Sequence, residues 1–377
     1  MRTPNNNELV LLNILRSGLW NEGHSNTIIS CDFSELLAIA ERQAVLGVVG
    51  QVISTDKVRY DIPIELMKKV KAYMTRIYLS NEIVNEKLIE TLKFLRENHI
   101  EPILLKGQSV AQLYLEPKLR MCGDIDFYVG ENKYKESYTA LCGIASKISD
   151  QESIFKGKDF TMLMGNVSFD IHRILGFYRI KRYNAKFQEI CAKGLFHTSE
   201  VVIDNVPVSI LSETFNAFYL FHHLFNHFLI TGIGLRHLCD FAVFLHASSS
   251  QIDRDELYRS IDMMGLWKPW EAFGGVIVNY LGLSSADFPF YKEVPAWKLK
   301  KILFHIFEEG NFGKNTNYYS IHRYSYLYKT LIASWYHIKR FCSMFILFPL
   351  PACRRVVDVS MLGWQLLVGR IKKCIVL

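Results

Sequence analysis

The hydrophobic period of the chain changes near residue 99 and changes back near residue 212. Residues 1–98 read as helix. Leu9, Leu11, Leu12 and Leu15 fall near helical spacing between Asn7 and Ser17. Asp32 stands as an N-cap, with Glu35 three residues on in a capping-box pattern. After Pro63, Leu66, Val70, Met74, Ile77, Ile83, Leu88, Leu92 and Leu95 mark a long helix ending near Glu97-Asn98-His99. The apolar runs then shorten. "EPILLKG" reads as a buried strand and a turn, "QSVAQLYL" as helix, "DIDFYVG" as a second strand and "ENKYKESYTALCGIAS" as helix. "KDFTMLMGNVSFDIHRI" and "EVVIDNVPVSIL" read as hairpins turning at Gly165-Asn166 and Asp204-Asn205.

From Ser212, a predicted N-cap, helical spacing returns. Helices are expected over 213–230, 235–247, 254–265, 267–282, 295–309, 320–348 and 354–373. The pattern predicts an α+β chain. A small mixed-sheet α/β core (100–211) is embedded between an N-terminal helical segment (1–99) and C-terminal helical segments (212–319 and a tail, 320–377). At 377 residues and half apolar, the chain can bury a large core and is not of disordered composition.

Charge is uneven. From Lys298 to the end there are 13 Lys and Arg against 3 Asp and Glu, or +10, so the rest of the +7 chain carries −3. The tail, "RYSYLYKTLIASWYHIKRFCSMFILFPLPACRRVVDVSMLGWQLLVGRIKKCIVL", mixes aromatics with Lys and Arg. Two readings stand open: a helix in a membrane interface, or a helical pair packed on the domain or on a second subunit. The basic residues are not concentrated in the α/β unit and no RNA-binding motif occurs, which argues against nucleic acid.

Eight cysteines show neither CxxC nor zinc spacing and suit a reducing compartment, most as small core residues. The N-terminus has no apolar signal core. The stretch from Thr214 to Leu235 lacks Asp, Glu, Lys and Arg but carries Asn216, His222, His223, Asn226 and His227, so a buried helix fits better than a bilayer span. The expected location is cytoplasmic, with peripheral contact at the inner face of the membrane as the variant the tail allows.

Three features of the α/β unit bear on chemistry. Lys106-Gly107-Gln108-Ser109 lies between a strand and a helix, where backbone N–H groups can approach a phosphate. A plain tight turn would read the same. Asp124 and Asp126 sit two apart on a strand, where side chains share a face. An acidic edge strand facing water would read the same. Asp170 lies in the apolar run "VSFDIHR", where pairing with Arg173 is the plain alternative.

Taken in order, strand–KGxS–helix, strand DxD, then a later strand Asp, the three resemble the DNA polymerase beta-like nucleotidyltransferase superfamily. "LLKGQSVAQLYLEPKLRMCGDIDFYV" followed by "FDIHR" is similar to a bacterial family of uncharacterised nucleotidyltransferases, often encoded near surface-polysaccharide genes. The shared outline falls on Lys106, Gly107, Tyr114, Pro117, Arg120, Asp124, Asp126, Asp170 and His172. "LFHHLFNHFLITGIGLRHLCDFAVFL" and "EEGNFG" resemble the family's helical part, so the likeness runs from about residue 8 to 350. The distance from Gly107 to Asp124 exceeds that of minimal nucleotidyltransferases.

The resemblance implies transfer of an NMP from an NTP to an acceptor hydroxyl, with release of pyrophosphate. The acceptor would be a small molecule, a sugar-like intermediate of surface-polysaccharide or related biosynthesis, or a protein hydroxyl. Two Mg²⁺ ions, or Mn²⁺, would be held by Asp124, Asp126 and Asp170. Gly107 and Ser109 would cradle phosphates. Lys106 would add a point charge there or brace the turn, and Arg120 would serve as a phosphate fork or as a partner to the carboxylates. The other function class is a catalytically degenerate binding or scaffold protein on the same fold.

His172, His223, His227, Arg236 and Asp240 are candidate cleft residues. His223 and His227 share a helix face without HExxH or a third ligand, so they read as cleft polar groups rather than metal ligands. Arg236 and Asp240 fit either an intrahelical ion pair or a cleft wall. Asn311 and Gly313 suggest, by resemblance, a fixed loop near the cleft.

Overall fold

The computed structural model describes residues 3–21, 31–55, 60, 62–149, 157–311, 326–358 and 360 of the 377. It is a mixed α+β structure. Four helices come first: α1 (Asn6–Trp20), α2 (Phe33–Arg42), α3 (Leu46–Thr55) and α4 (Ile64–Glu97). Asn5 caps α1 in a full capping box with Glu8. Asp32 caps α2 as expected, accepting from the N–H groups of Ser34 and Glu35. The reciprocal half of that box is not made. The Glu35 carboxylate instead accepts from the Asn7 amide at 2.5 Å, and the Asp32 N–H donates to Asn7 Oδ1 at 3.1 Å. Asn7 thus ties α1 to α2 with the groups a local box would have used.

A seven-stranded mixed sheet follows, in the order β3-β4-β5-β2-β1-β7-β6. Its strands, with the helices between them, are β1 (Ile103–Leu105), α5 (Gln108–Ala111), β2 (Ile125–Tyr128), α6 (Gly130–Leu141), β3 (Lys147–Ile148), β4 (Asp159–Met164), β5 (Val167–His172), α7 (Lys181–Gly194), β6 (Thr198–Ile203) and β7 (Val206–Leu211). Strand β2 is antiparallel to β1 and parallel to β5. Both expected hairpins form. Asp204 and Asn205 take φ of 44° and 65°, the pair of positive angles that a two-residue hairpin turn needs.

Alternation along the strands divides the sheet faces. Ile125, Phe127, Phe160, Met162, Phe169 and Ile171 pack on one face against Leu88, Leu92 and Leu95 of α4 and Leu141 of α6. The residues between them, Asp126, Asp170 and His172, belong to the opposite face.

The "QSVAQLYL" segment is shorter as a helix than its spacing suggests, a single turn. Gln108 Nε2 donates to Asn81 and Asn85 of α4, and Asn81 Nδ2 donates to the carbonyls of Lys118 (2.9 Å) and Arg120 (2.8 Å). These bonds hold residues 112–123 as a loop against α4. Gly47 admits it: a Cβ there would lie 1.9 Å from the Leu119 carbonyl oxygen.

The helical remainder comprises α8 (Glu213–Ile230), α9 (Leu235–Ser248), α10 (Arg254–Met264), α11 (Trp267–Val276), α12 (Ala296–Glu309), α13 (Tyr326–Leu347) and α14 (349–358). The expected helix over 267–282 finishes as a π turn, Ile277–Leu281, stopped by Gly282 at φ 76°. Helix α14 starts at Pro349, not 354, because proline suits a first helical turn, where no N–H partner is needed. The rest of the 354–373 expectation, and Gly313, lie outside the described residues.

Helices before and after the sheet share one hydrophobic core, in which Phe218, Phe221, Phe225 and Phe228 of α8 are fully buried. Each such side chain contributes roughly 2–3 kcal/mol. Part of the tail also packs here. Met344, Leu347, Phe348 and Ala352 are buried, and Arg340 donates to the carbonyls of Phe228 and Leu229. Of the cysteines, Cys191 and Cys239 are core residues, whereas Cys142, Cys342 and Cys353 are exposed, contrary to the core role expected of most. No helix among the described residues is long and apolar enough to cross a membrane.

Candidate active site

Asp124 precedes β2 and is exposed, Asp126 lies within it and is buried, and Asp170 stands on β5 as the register partner of Asp126. One carboxylate oxygen from each falls within 4.8 Å of the others. Like charges this close disfavour joint ionisation unless something positive offsets them.

For Asp126 the offset is built in. Lys106 Nζ lies 3.0 Å and His172 Nε2 2.8 Å from its Oδ1. Burial alone would push the carboxyl up, but the lysine and histidine outweigh it and hold it at about 2. Asp170 has less help. Burial raises its pKa, Asp126 and Asp124 add repulsion, and the Thr161 hydroxyl, donating at 2.6 Å, only partly opposes them. All three ligand atoms are hard oxygens, the donor type that magnesium prefers. The proximity of the carboxylates and the raised Asp170 pKa both fit a divalent cation.

His172 stands between two carboxylates, with Asp159 Oδ2 3.4 Å from its Nδ1. The Lys106-Gly107 turn has a special backbone, with φ of 51° and 47°. That conformation aims the Lys106 side chain back at Asp126. Ser109 serves otherwise than expected. Its hydroxyl and N–H both donate to the Lys106 carbonyl (2.8 and 3.0 Å) and it is buried, so it closes the turn and does not face the cavity.

A polar cavity of about 260 Å³ opens over the carboxylates. Its walls include Lys106, Gly107, Arg120, Lys158, His223, His227, Arg236, His237 and Asp240. Of the two readings of Arg236 and Asp240, the cavity wall holds, and no direct ion pair joins them. Asp240 is gripped by Arg120 through two bonds, Nε at 2.7 Å and Nη2 at 2.8 Å, and by the Tyr114 hydroxyl at 2.8 Å. Burial opposes this charge pair, but mutual attraction prevails. It keeps the Asp240 pKa below and the Arg120 pKa above their ordinary values. Arg120 therefore joins the loop before β2 to α9 through Nε and Nη2, while its Nη1 has no hydrogen-bond partner and the residue lines the cavity.

Arg236 directs Nη1 to the Met121 carbonyl at 2.7 Å. It is 8% exposed, its Nε has no hydrogen-bond partner, and among the described residues no carboxylate pairs with it. Burial lowers its pKa. Asp240 attracts it at longer range without a direct ion pair, and a buried guanidinium on a cavity wall suits an anionic ligand.

The histidines form a neutral wall. The His223 and His227 rings lie 4.4 Å apart, and those of His227 and His237 6.3 Å apart. Burial pushes all three down, His227 to about 4, with Lys106 adding to the effect at His223 and His227. Among the described residues the acidic triad is the group of ligands that converges; the histidines do not.

Sequence reasoning missed Thr161, Asp159, Lys158 and His237. The hairpin turn held the signal for the first two. Pairing Met164 with Val167 across Gly165-Asn166 fixes Thr161 opposite Asp170 and Asp159 opposite His172.

A family model described as uncharacterised nucleotidyltransferase matches residues 30–281, about two thirds of the chain. Among solved structures, an antigenic nucleotidyltransferase-like protein from Paracoccidioides brasiliensis aligns at 11% identity. It covers 58% of this chain and 94% of its own, with a TM-score of 0.31. No curated protein matches.

Proposed function

The chain belongs to the uncharacterised nucleotidyltransferase family, and we propose that it moves a nucleoside monophosphate from an NTP to an acceptor hydroxyl in a Mg²⁺-dependent reaction. The observation that carries this reading is the meeting of Asp124, Asp126 and Asp170 within 4.8 Å beneath a cavity walled by cations.

Asp124 and Asp126 would hold both ions, and Asp170 the ion nearer the acceptor. When bound, magnesium would neutralise the three carboxylates and stabilise charge on the phosphate oxygens. Lys106 and His172 fix the Asp126 carboxylate in orientation. Asp170, on the side of the acceptor, would accept the acceptor's hydroxyl proton. The freed oxygen forms a bond to the α-phosphorus as the bond to pyrophosphate breaks. Arg236, with Lys158, would hold the terminal phosphates. The buried histidines exclude water.

A second reading, a non-catalytic binding protein on this fold, has one observation in its favour. Lys106 and His172 already neutralise Asp126 without metal. Incubation with labelled NTPs, Mg²⁺ and pooled acceptors separates the two. Label transfer and pyrophosphate release that vanish in Asp124→Asn/Asp126→Asn support the enzyme. Unchanged cellular function of that double variant supports the binding protein.

Peripheral membrane contact remains part of the reading for the tail. Trp335, Ile338, Phe345, Ile346 and Leu350 stay exposed on its described helices. Anionic liposomes should retain the full chain and release a variant carrying Trp335→Ser, Ile338→Ser, Phe345→Ser and Ile346→Ser; equal retention of both refutes the contact.

A further inference from the structure

Lys158 lines two hollows, the cavity over the carboxylates and a larger one of about 1230 Å³ that Arg173, the residue after His172, also lines. The larger hollow gives a second reactant room beside the carboxylates.

The second hollow is lined by four cations, Lys158, Arg173, Arg179 and Lys181, and by no carboxylate among the described lining residues. Three of these cations are braced by a carboxylate outside the lining: Lys158 by Asp159 (2.8 Å), Arg173 by Glu131 (3.0 Å) and Arg179 by Asp358 (3.6 Å). Lys181 has no ion-pair partner among the described residues. The Nε atoms of Arg173 and Arg179 are buried without a hydrogen-bond partner. The 14-residue helix α7 opens here at Lys181, and its N-cap, Ile180, offers no side-chain cap. Tyr178 and the exposed Phe177 add apolar surface.

We propose that this hollow is the acceptor subsite, and that the acceptor is a small phosphorylated hydroxyl compound. Arg179 and Lys181 hold its phosphate, Phe177 and Tyr178 cover its carbon skeleton, and its hydroxyl reaches Asp170. The proposal rests on the nucleotidyl-transfer reading of the neighbouring carboxylates. A phosphate monoester fits better than a carboxylate because a dianion answers several cations at once.

The test uses the full chain, without metal or nucleotide. Glycerol 3-phosphate and glucose 6-phosphate serve as phosphate probes, gluconate as the carboxylate, and glycerol and glucose as uncharged controls, with binding read by calorimetry and ligand-observed NMR. The phosphate probes should bind and the uncharged ones should not. Arg179→Gln and the charge reversal Lys181→Glu should each weaken phosphate binding about tenfold or more. Lys181 is exposed, so its variant keeps the fold. Asp124→Asn/Asp126→Asn should leave probe binding unchanged.

Three results overturn the proposal: no binding at millimolar concentration, binding equal in both basic variants, or gluconate binding as tightly as the phosphates. Failure of the wild type to bind Mg·NTP removes the transfer reading and with it the acceptor role. The metal-free arm reports the anion site independently of that failure.

Discussion

Asp126 and Asp170 are direct partners across the parallel strands β2 and β5, on the face of the sheet that does not contact α4. That register sets two carboxylates side by side, and Asp124, just before β2, completes the group. Their environments then diverge. Lys106 and His172 hold Asp126 ionised, while Asp170 is pushed up. A pair with pKa values driven apart is a mark of acid–base work.

Lys106→Met tests the internal counter-charge. It leaves the buried Asp126 with His172 alone, which should cost about 3 kcal/mol of metal-free stability. The Asp126 pKa is depressed, so its contribution is present above about pH 4 and fades as pH falls toward 2. Urea unfolding at neutral pH should show the loss, and millimolar Mg²⁺ should restore part of it. A variant that Mg²⁺ does not rescue would argue against a cation at these carboxylates.

The Arg120–Asp240 clamp should behave as one unit. Asp240→Asn and Arg120→Met should each cost about 3–5 kcal/mol, because each strands a buried partner. The double variant should cost clearly less than their sum. Additive losses in a denaturant cycle would show that the two groups act separately.

Acid should destabilise the fold well above the carboxylate range. Burial holds His222 at about 3 and His227 at about 4, and it keeps His223 and His237 well below their ordinary value. The unfolded chain therefore takes up protons below about pH 6.5 that the folded chain refuses. Stability is full above that pH and falls as pH drops toward 4, by about 1.4 kcal/mol per pH unit for each such histidine. Unfolding free energy should drop by more than about 2 kcal/mol between pH 6 and pH 5. The slope should shallow in His222→Phe, whose ring would stack where His222 meets Phe187 at 4.5 Å. A flat profile over that range contradicts the burial of neutral imidazoles.

Much of the fold could be read in sequence because its signals are local. The Asp32 cap, the long helix to Glu97 and the two hairpin turns each depend on a few neighbouring residues. The 112–123 loop could not be read that way, since its shape follows from Asn81 and Gly47, far away in the chain. The site divides likewise. The order strand–KGxS–helix, DxD and a later strand Asp, through its resemblance to the nucleotidyltransferase superfamily, pointed to Asp124, Asp126 and Asp170. The partner of Asp240 could not be read because Arg120 is near it only in space. Helix α7 was missed although its buried face, Phe187, Ile190, Cys191 and Gly194, stands at helical spacing.

The most direct test of the central claim is calorimetric titration of Mg·NTP into the wild-type chain and into Asp124→Asn/Asp126→Asn. The account predicts saturable nucleotide binding that needs the divalent ion and disappears in the double variant, with both proteins equally folded. Binding of equal strength in the double variant, or binding indifferent to Mg²⁺, would contradict it.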